Sequence, residues 1–361
     1  MNVLFRIIVF CFMLPMGLWA QQHEGGYEFY VGTYTNGQSK GIYRCRMGDD
    51  GTLLQPMLIA HTTNPSFLTF TRDHKFLLAV NETKSGKVAS FAVIGDTLLP
   101  VNFQSSGGAY PCHVSVNDKG YVLVSNYGSG TVGVLKINQK GVLSHLLYVD
   151  EHKIDGLTAH AHESKFLGRH GLVVSVDLGL NRLLFSRWDS LSRQLVPLRQ
   201  KTLVLPPGSG PRHFVFSPET EKMYVVNETG NTVSIVSRQP DGTWVLGKTV
   251  STLPQDFKGK SYCAEIQRSQ DGRFLYVSNR GFNSIALFKI SLSGNDLTLV
   301  GNFPVHGDFP RFFTLTPDGR YLLVANQKSG NIVVFKRNGE TGRLLYLDEI
   351  TISSPVCILF R

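Results

Sequence analysis

Eight side chains beyond residue 159 could do chemistry together. His160 and His162 stand two apart, the pair Arg212–His213 follows, and Glu228, Glu265, Arg280 and Arg311 complete the set. Guanidinium forks bind carboxylate or phosphate through two parallel hydrogen bonds. A histidine or glutamate can take a proton near neutral pH. The combination suits an anionic ligand. Arg212 and Arg280 would hold the substrate and steady a developing oxyanion. His162 or Glu228 would be the base, and residue types alone do not choose between them. His160, His213, Glu265 and Arg311 are read as substrate-binding. Each also has a plainer reading. Arg280 and Glu265 could form a structural ion pair, and His213 could be a satisfied channel-wall histidine. His160 and His162 alternate along a strand as a metal pair would, but no third ligand is evident, so no metal is expected. No serine sits in a nucleophile elbow, so no covalent intermediate is needed.

The elements that must position these residues repeat. Residues 65–91, 111–135, 161–185, 211–236, 263–288 and 310–335 share one plan: a short apolar strand, a polar turn, a second strand ending in Asn or Asp, a turn, and a third strand. The Asn or Asp falls at Asn81, Asn126, Asp177, Asn227, Asn279 and Asn326, every 45–52 residues. A period of that size marks stacked or radial repeats. Apolar and polar residues alternate within each unit, as in half-buried strands, and Pro-Asp-Gly at 317–319 and Ser-Gly at 329–330 supply turns. With a weaker fourth strand, such as 297–303, each unit becomes a propeller blade. Residues 27–47 read as the second and third strands of a unit lacking its first, with Thr33 in the Asn position. The first strand is supplied by PVCILF (355–360). Pairing the two ends closes an all-β, seven-bladed β-propeller and hides both edges; an open solenoid would need polar caps that neither end provides. In a ring, first-strand starts and second-strand ends converge on one mouth of the central channel, where all eight candidates map. The repeating Asn is read as structural, capping the turn that follows it. Asn81 and Asn227 also begin glycosylation sequons, but both fall on the repeat and are read as coincidence.

Composition narrows the setting. The net charge is +9, yet no run of Lys or Arg marks a nucleic-acid tail, so no nucleic-acid partner is expected. Residues 1–20 carry Arg6, an apolar run Ile7–Leu18 and the small Ala20. That is read as a secretory signal peptide, with cleavage after Ala20 although Leu18 is an imperfect −3 residue. The expected organisation is a signal over 1–20 and one propeller domain over 21–361, exported to the periplasm or beyond, without membrane association after cleavage. Cys45, Cys112, Cys263 and Cys357 would remain. None has CxxC spacing and all lie in different blades, so they are read as small buried hydrophobes.

HAHES (160–164), VDLGLNRL (176–183), GPRHFVFSP (210–218), VVNETGNTV (225–233), VSNRGFNSIALF (277–288) and FPRFFTLTPDGRYLLVANQKSGNIVVF (309–335) resemble the lactonase propeller family. That family includes bacterial propeller-type 6-phosphogluconolactonases and, more distantly, carboxymuconate lactonising enzymes. The resemblance covers essentially all of the chain after the leader. It implies a metal-independent site, with no cofactor, in the channel mouth, opening or closing a lactone on a small anionic substrate. His160 and His162 match the family's HxH element, Arg212 and His213 its GPRH, Glu228 its NE and Arg280 its SNRG. Two features differ. Ala159 stands where a proline often precedes the HxH element, and the leader contrasts with the usually cytoplasmic members acting on 6-phosphogluconolactone. The expected activity is hydrolysis of an acidic sugar lactone of the 6-phosphogluconolactone type. A muconate-type lactonising enzyme and a non-catalytic exported binding propeller are the alternatives.

Overall fold

Seven four-stranded antiparallel sheets follow one another around a ring in the computed structural model, which describes residues 26–168, 171–217 and 221–361. The expected leader over 1–20 lies outside the described residues. Blade 1 is built from Gly26–Thr33, Gly41–Gly48 and Met57–His61, with Pro355–Phe360 as its innermost strand. Blades 2 to 7 begin with the inner strands Leu68–Phe70, Pro111–Val116, Ala161–Leu167, Pro211–Phe216, Tyr262–Arg268 and Pro310–Leu315. The weak fourth strand is present in each, and that of blade 6 is Leu297–Pro304.

The closure is the one the two chain ends suggest. Phe29 pairs with Phe360, Val31 with Ile358, and Thr33 with Pro355. Thr33 therefore occupies the Asn position opposite a strand-opening proline, as Asn126 does opposite Pro111 and Asn326 opposite Pro310. Side chains seal the seam as well. Tyr27 meets Phe360 and Tyr321 edge to face, and Arg361 Nη1 lies 2.8 Å from Glu28 Oε1.

The core is distributed between neighbouring blades. The second strands, such as Phe76–Asn81 and Tyr121–Asn126, are apolar on both faces rather than alternating, because both faces are covered by adjacent sheets. Val114, Val122 and Leu135 of blade 3 pack with Leu78 and Val80 of blade 2, and Met223 and Trp244 of blade 5 pack with Val174 and Phe185 of blade 4. Trp244 and Phe185 stack with ring centroids 6.0 Å apart. What remains at the centre is a channel lined by inner strands, and its lining is polar where the blades cease to be alike.

Two local devices shape that lining. The first is a β-bulge at the start of the inner strand. The register shifts between Pro111 and His113, Ala161 and Glu163, Pro211 and His213, and Pro310 and Phe312. The extra residues are Cys112, His162, Arg212 and Arg311. A bulge leaves its extra residue unpaired and re-aims it, so consecutive residues such as Arg212 and His213 can both reach the channel. The second is the repeating Asn, which does more than cap the turn after it. Asn126 Nδ2 donates to Ser106 O at 3.0 Å on the segment entering the blade and to Thr131 Oγ1 at 3.1 Å on the third strand. Asn326 Nδ2 donates to Val305 O at 3.1 Å in the same way. The amide ties three segments together, which explains its recurrence.

Candidate functional site

Each blade offers the channel mouth two positions: the residue that follows the proline position at the start of its inner strand, which is the bulge residue in blades 3, 4, 5 and 7, and the residue after the repeating Asn. In blades 5 to 7 these are Arg212 with Glu228, Ala264 with Arg280, and Arg311 with Gln327. In blades 2 to 4 they are Ser66 with Glu82, Cys112 with Tyr127, and His162 with Leu178. Tyr34 is the corresponding residue of blade 1. Two glycines hold the second position against the first. Gly210 has φ +60° and its carbonyl takes the Glu228 N–H at 2.7 Å; Gly281 has φ +98° and passes against Lys260 O. Both conformations are costly for a residue with a Cβ.

Glu228 is the hub of the guanidinium side. Its Oε2 lies 3.1 Å from Arg212 Nε and 2.8 Å from Arg280 Nη2. Arg212 Nη1 also donates to Ala264 O at 2.7 Å, and Arg280 Nη2 to Cys263 O at 2.8 Å. The two arginines are only 3% and 5% exposed. Burial depresses both guanidinium pKa values, that of Arg280 to about 10; Arg311 adds to both shifts, Arg212 adds to that of Arg280, and Glu228 opposes both. Burial would lift the Glu228 carboxyl, but Arg280, Arg212 and Arg311 together pull it below the usual carboxylate range. Arg280 thus pairs with Glu228, and the alternative pairing with Glu265 is not formed. Arg311 is held differently. Its guanidinium lies over the Tyr34 ring at 5.2 Å and its Nη2 is 3.9 Å from Glu82 Oε2, with no hydrogen bond to a described residue.

His162 sits 4% exposed beside this cluster, its ring 5.0 Å from that of His213 and 5.8 Å from that of Tyr127. Burial, followed by the charges of Arg212, His213, Arg311 and Arg280, pushes its pKa well below 6.5. The imidazole is therefore neutral at physiological pH. Its Nδ1 is buried without a hydrogen-bond partner among the described residues, as are Arg280 Nε and Gln327 Oε1. Buried polar groups are rarely left unmatched in a fold, and three at one mouth mark where a polar ligand would complete the set.

His160 lies just outside this group. Its ring stacks on Tyr127 at 4.4 Å, its Nδ1 meets Tyr127 O at 2.9 Å, and its N–H donates to Asp177 Oδ1. His213 and Glu265 are one layer deeper, joined Nδ1 to Oε2 at 2.9 Å. Below them His113 faces Glu163 at 3.3 Å, and Lys165 Nζ reaches the same carboxylate at 2.5 Å. Phe67 packs against His113 and Phe312, so the channel is plugged beneath the mouth. The bulge at Pro211 thus splits an adjacent pair: Arg212 serves the mouth and His213 the layer under it.

Four side chains of the mouth escape the sequence reading: Tyr34, Ser66, Glu82 and Tyr127. Glu82 and Tyr127 occupy the same repeat position as Glu228 and Arg280, a signal that was available. Tyr34 follows Thr33, and the truncated first unit hides that equivalence. Among the described residues, Cys45, Cys112, Cys263 and Cys357 are all buried and free. Burial raises the thiol pKa values of Cys45, Cys263 and Cys357 to about 12, and they behave as the small hydrophobes expected.

The profile of the family described as "Lactonase, 7-bladed beta-propeller" matches residues 28–360. The chain belongs to that family. The 6-phosphogluconolactonase of Bacillus subtilis is 34% identical over 346 residues, covering 92% of this chain and 98% of the relative. A 6-phosphogluconolactonase of Formosa agariphila is 33% identical over 302 residues, covering 79% and 85%. Among solved structures, the periplasmic gluconolactonase of Pseudomonas aeruginosa superposes with a TM-score of 0.88 at 30% identity, over 93% of this chain and 99% of that one. These likenesses support a lactonase-type function for this propeller, and they agree with a mouth rich in guanidinium and imidazole.

Proposed function

We propose that this lactonase hydrolyses an acidic sugar lactone of the 6-phosphogluconolactone type, using the mouth built by blades 4 to 7. The observation that carries the proposal is the gathering of three arginines around one committed carboxylate, beside a neutral imidazole with open valences. Arg212 and Arg280 are fixed by Glu228, so their remaining N–H groups are preorganised for the oxygen charge that develops on attack. Arg311, with no hydrogen bond to a described residue, is the guanidinium left for the substrate's phosphate or carboxylate.

Water attacks the lactone carbonyl carbon and passes its proton to His162. The choice of His162 over Glu228 follows from geometry, since Glu228 Oε2 is already engaged by two arginines while no described residue bonds the His162 ring. The tetrahedral oxyanion forms against Arg212 and Arg280. Its collapse breaks the ring C–O bond, and the departing alkoxide takes the proton back from His162. The acid product loses its proton to solvent and leaves as the carboxylate. The relatives' names, 6-phosphogluconolactonase and periplasmic gluconolactonase, support the substrate class, and an activity outside the cytoplasm is proposed from the leader expected over 1–20. Steady-state hydrolysis of freshly made 6-phosphogluconolactone and of gluconolactone tests the proposal. The expected outcome is a kcat/KM at least tenfold higher for the phosphorylated lactone. Equal values would remove the phosphate from the assignment, and no rate above spontaneous hydrolysis for either would remove sugar-lactone hydrolysis altogether.

A further inference from the structure

The mouth has two unlike halves. Blades 5 to 7 supply guanidinium groups, whereas blades 1 to 3 supply hydroxyls, an aromatic ring and a second carboxylate. That second half has no part in the steps above, yet it is built with care. Glu82 Oε2 receives the Tyr34 hydroxyl at 2.8 Å and the Ser66 hydroxyl at 2.5 Å. Tyr34 comes from blade 1 and Ser66 from the segment that leads into the inner strand of blade 2, so the carboxylate is fixed from both sides. Burial, with Glu82 adding to it, raises the Tyr34 phenol, which therefore remains a hydrogen-bond donor. The other carboxylate oxygen, Oε1, takes no hydrogen bond from a described residue. Glu82 is 15% exposed and meets a cation only at 3.9 Å, so it is a weakly paired acceptor facing the mouth. On blade 3 the Tyr127 ring is backed by the stacked His160 ring.

A carboxylate in an anion-binding mouth works against a purely anionic ligand. Its presence is explained if the ligand also brings hydroxyl donors. Ionised acceptors make the stronger hydrogen bonds to neutral donors, and a site built to bond hydroxyls rejects an analogue without them far more sharply than an apolar pocket does. We infer that Glu82, held by Tyr34 and Ser66, is a specificity-determining residue that reads the hydroxyl groups of a polyhydroxylated acid or its lactone, with Tyr127 as the flat wall beside them. The inference rests on the reading of the mouth as a sugar-lactone site, and it adds which half recognises the polyol. It separates such substrates from hydroxyl-poor lactones of dicarboxylic acids, which the guanidinium half alone would accept.

Calorimetric binding tests it without turnover. Gluconate and hexanoate carry the same charge and carbon number and differ in hydroxyls. The parent chain is expected to bind gluconate at least tenfold more tightly than hexanoate. Glu82→Gln keeps one acceptor oxygen for Tyr34 and Ser66, removes the charge and turns the open oxygen into a donor, and it should shrink that preference to within threefold. In hydrolysis of gluconolactone the same variant should raise KM at least tenfold while kcat moves less than threefold. Tyr34→Phe should shift KM in the same direction by a smaller factor. A Glu82→Gln variant that retains the gluconate preference overturns the inference, as does a parent that binds the two acids equally. Retained preference for gluconate with no lactone turnover in the parent would instead sink only the hydrolase reading.

Discussion

His162 and its cationic neighbours set the pH behaviour expected of the site. A base must be neutral to act, and its active form is lost as pH falls through its folded-state pKa. Because burial and the arginines hold that pKa well below 6.5, kcat/KM should stay flat from pH 8 to pH 6, with the acid limb lying lower. Removing a neighbouring cation makes the imidazolium less costly. Arg212→Ala should therefore shift the acid limb of the residual activity upward toward 6.5, which a pH–rate profile of the variant reads directly. A parent profile half lost at pH 6.5 would remove His162 as the base. Arg212 and Arg280 each contribute preorganised donors, and loss of either is expected to lower kcat by about 10²–10³-fold, the scale of losing one oxyanion donor. At this scale the sequence was informative about type but blind to partnership. That Arg280 serves Glu228 rather than Glu265 follows from which side chains share a layer, and layer depends on the bulge. Spacing along the chain carries no record of that.

The inner-strand bulge and the glycine opposite it are the elements that turn sequence neighbours into a site. Gly210 needs its φ of +60°, and a Cβ there would lie 2.4 Å from Thr229 Oγ1. Gly210→Ala is expected to cost about 1–2 kcal/mol of stability and to displace Glu228, whose N–H its carbonyl holds. Thermal melts and kcat measured together should both fall. One layer down, His113 has its pKa lowered to about 4, chiefly by burial, with Glu163 opposing. Between pH 6.5 and about 4 the unfolded chain binds a proton that the folded chain refuses. Stability is therefore complete above 6.5 and declines as pH falls toward 4, by up to about 3 kcal/mol from this residue. Glu163, held far below its usual range despite burial by Lys165, His213 and His113, continues the loss at lower pH. Denaturant melts at pH 8, 6 and 4.5 should show the decline, and His113→Gln, which keeps a donor for Glu163, should flatten its upper part. The strands were legible because alternation and the Asn period are strong signals. The bulges were not, because Cys112, His162, Arg212 and Arg311 share nothing as residue types. Only Pro in the preceding position hints at them, and blade 4 has Ala161 there.

At the scale of the whole molecule, closure joins fold and function. Pro355–Phe360 is the inner strand of blade 1, and without it the strand Gly26–Thr33 becomes an open edge next to Tyr34 and Glu82. A chain ending at Ser354 is expected to lose its single cooperative unfolding transition and to associate, as exposed edges do, which calorimetry and size-exclusion chromatography would report. The seven-fold architecture could be read in full because each blade repeats the same physical solution, down to Thr33 standing in for Asn. The ring also shows why half of the mouth was overlooked. Charged residues on blades 4 to 7 announce chemistry, while the hydroxyls of Tyr34 and Ser66 look ordinary until the blade 2 turn and the packing of blade 1 against it bring them to Glu82. The most direct measurement is the hydrolysis of fresh 6-phosphogluconolactone by the chain from Gln21 to Arg361, beside folded His162→Ala and Arg212→Ala variants. The expected result is parent turnover well above the spontaneous rate, falling at least a hundredfold in both variants. Parent turnover that survives both substitutions, or a parent no faster than the uncatalysed reaction, would contradict a lactonase site at this mouth.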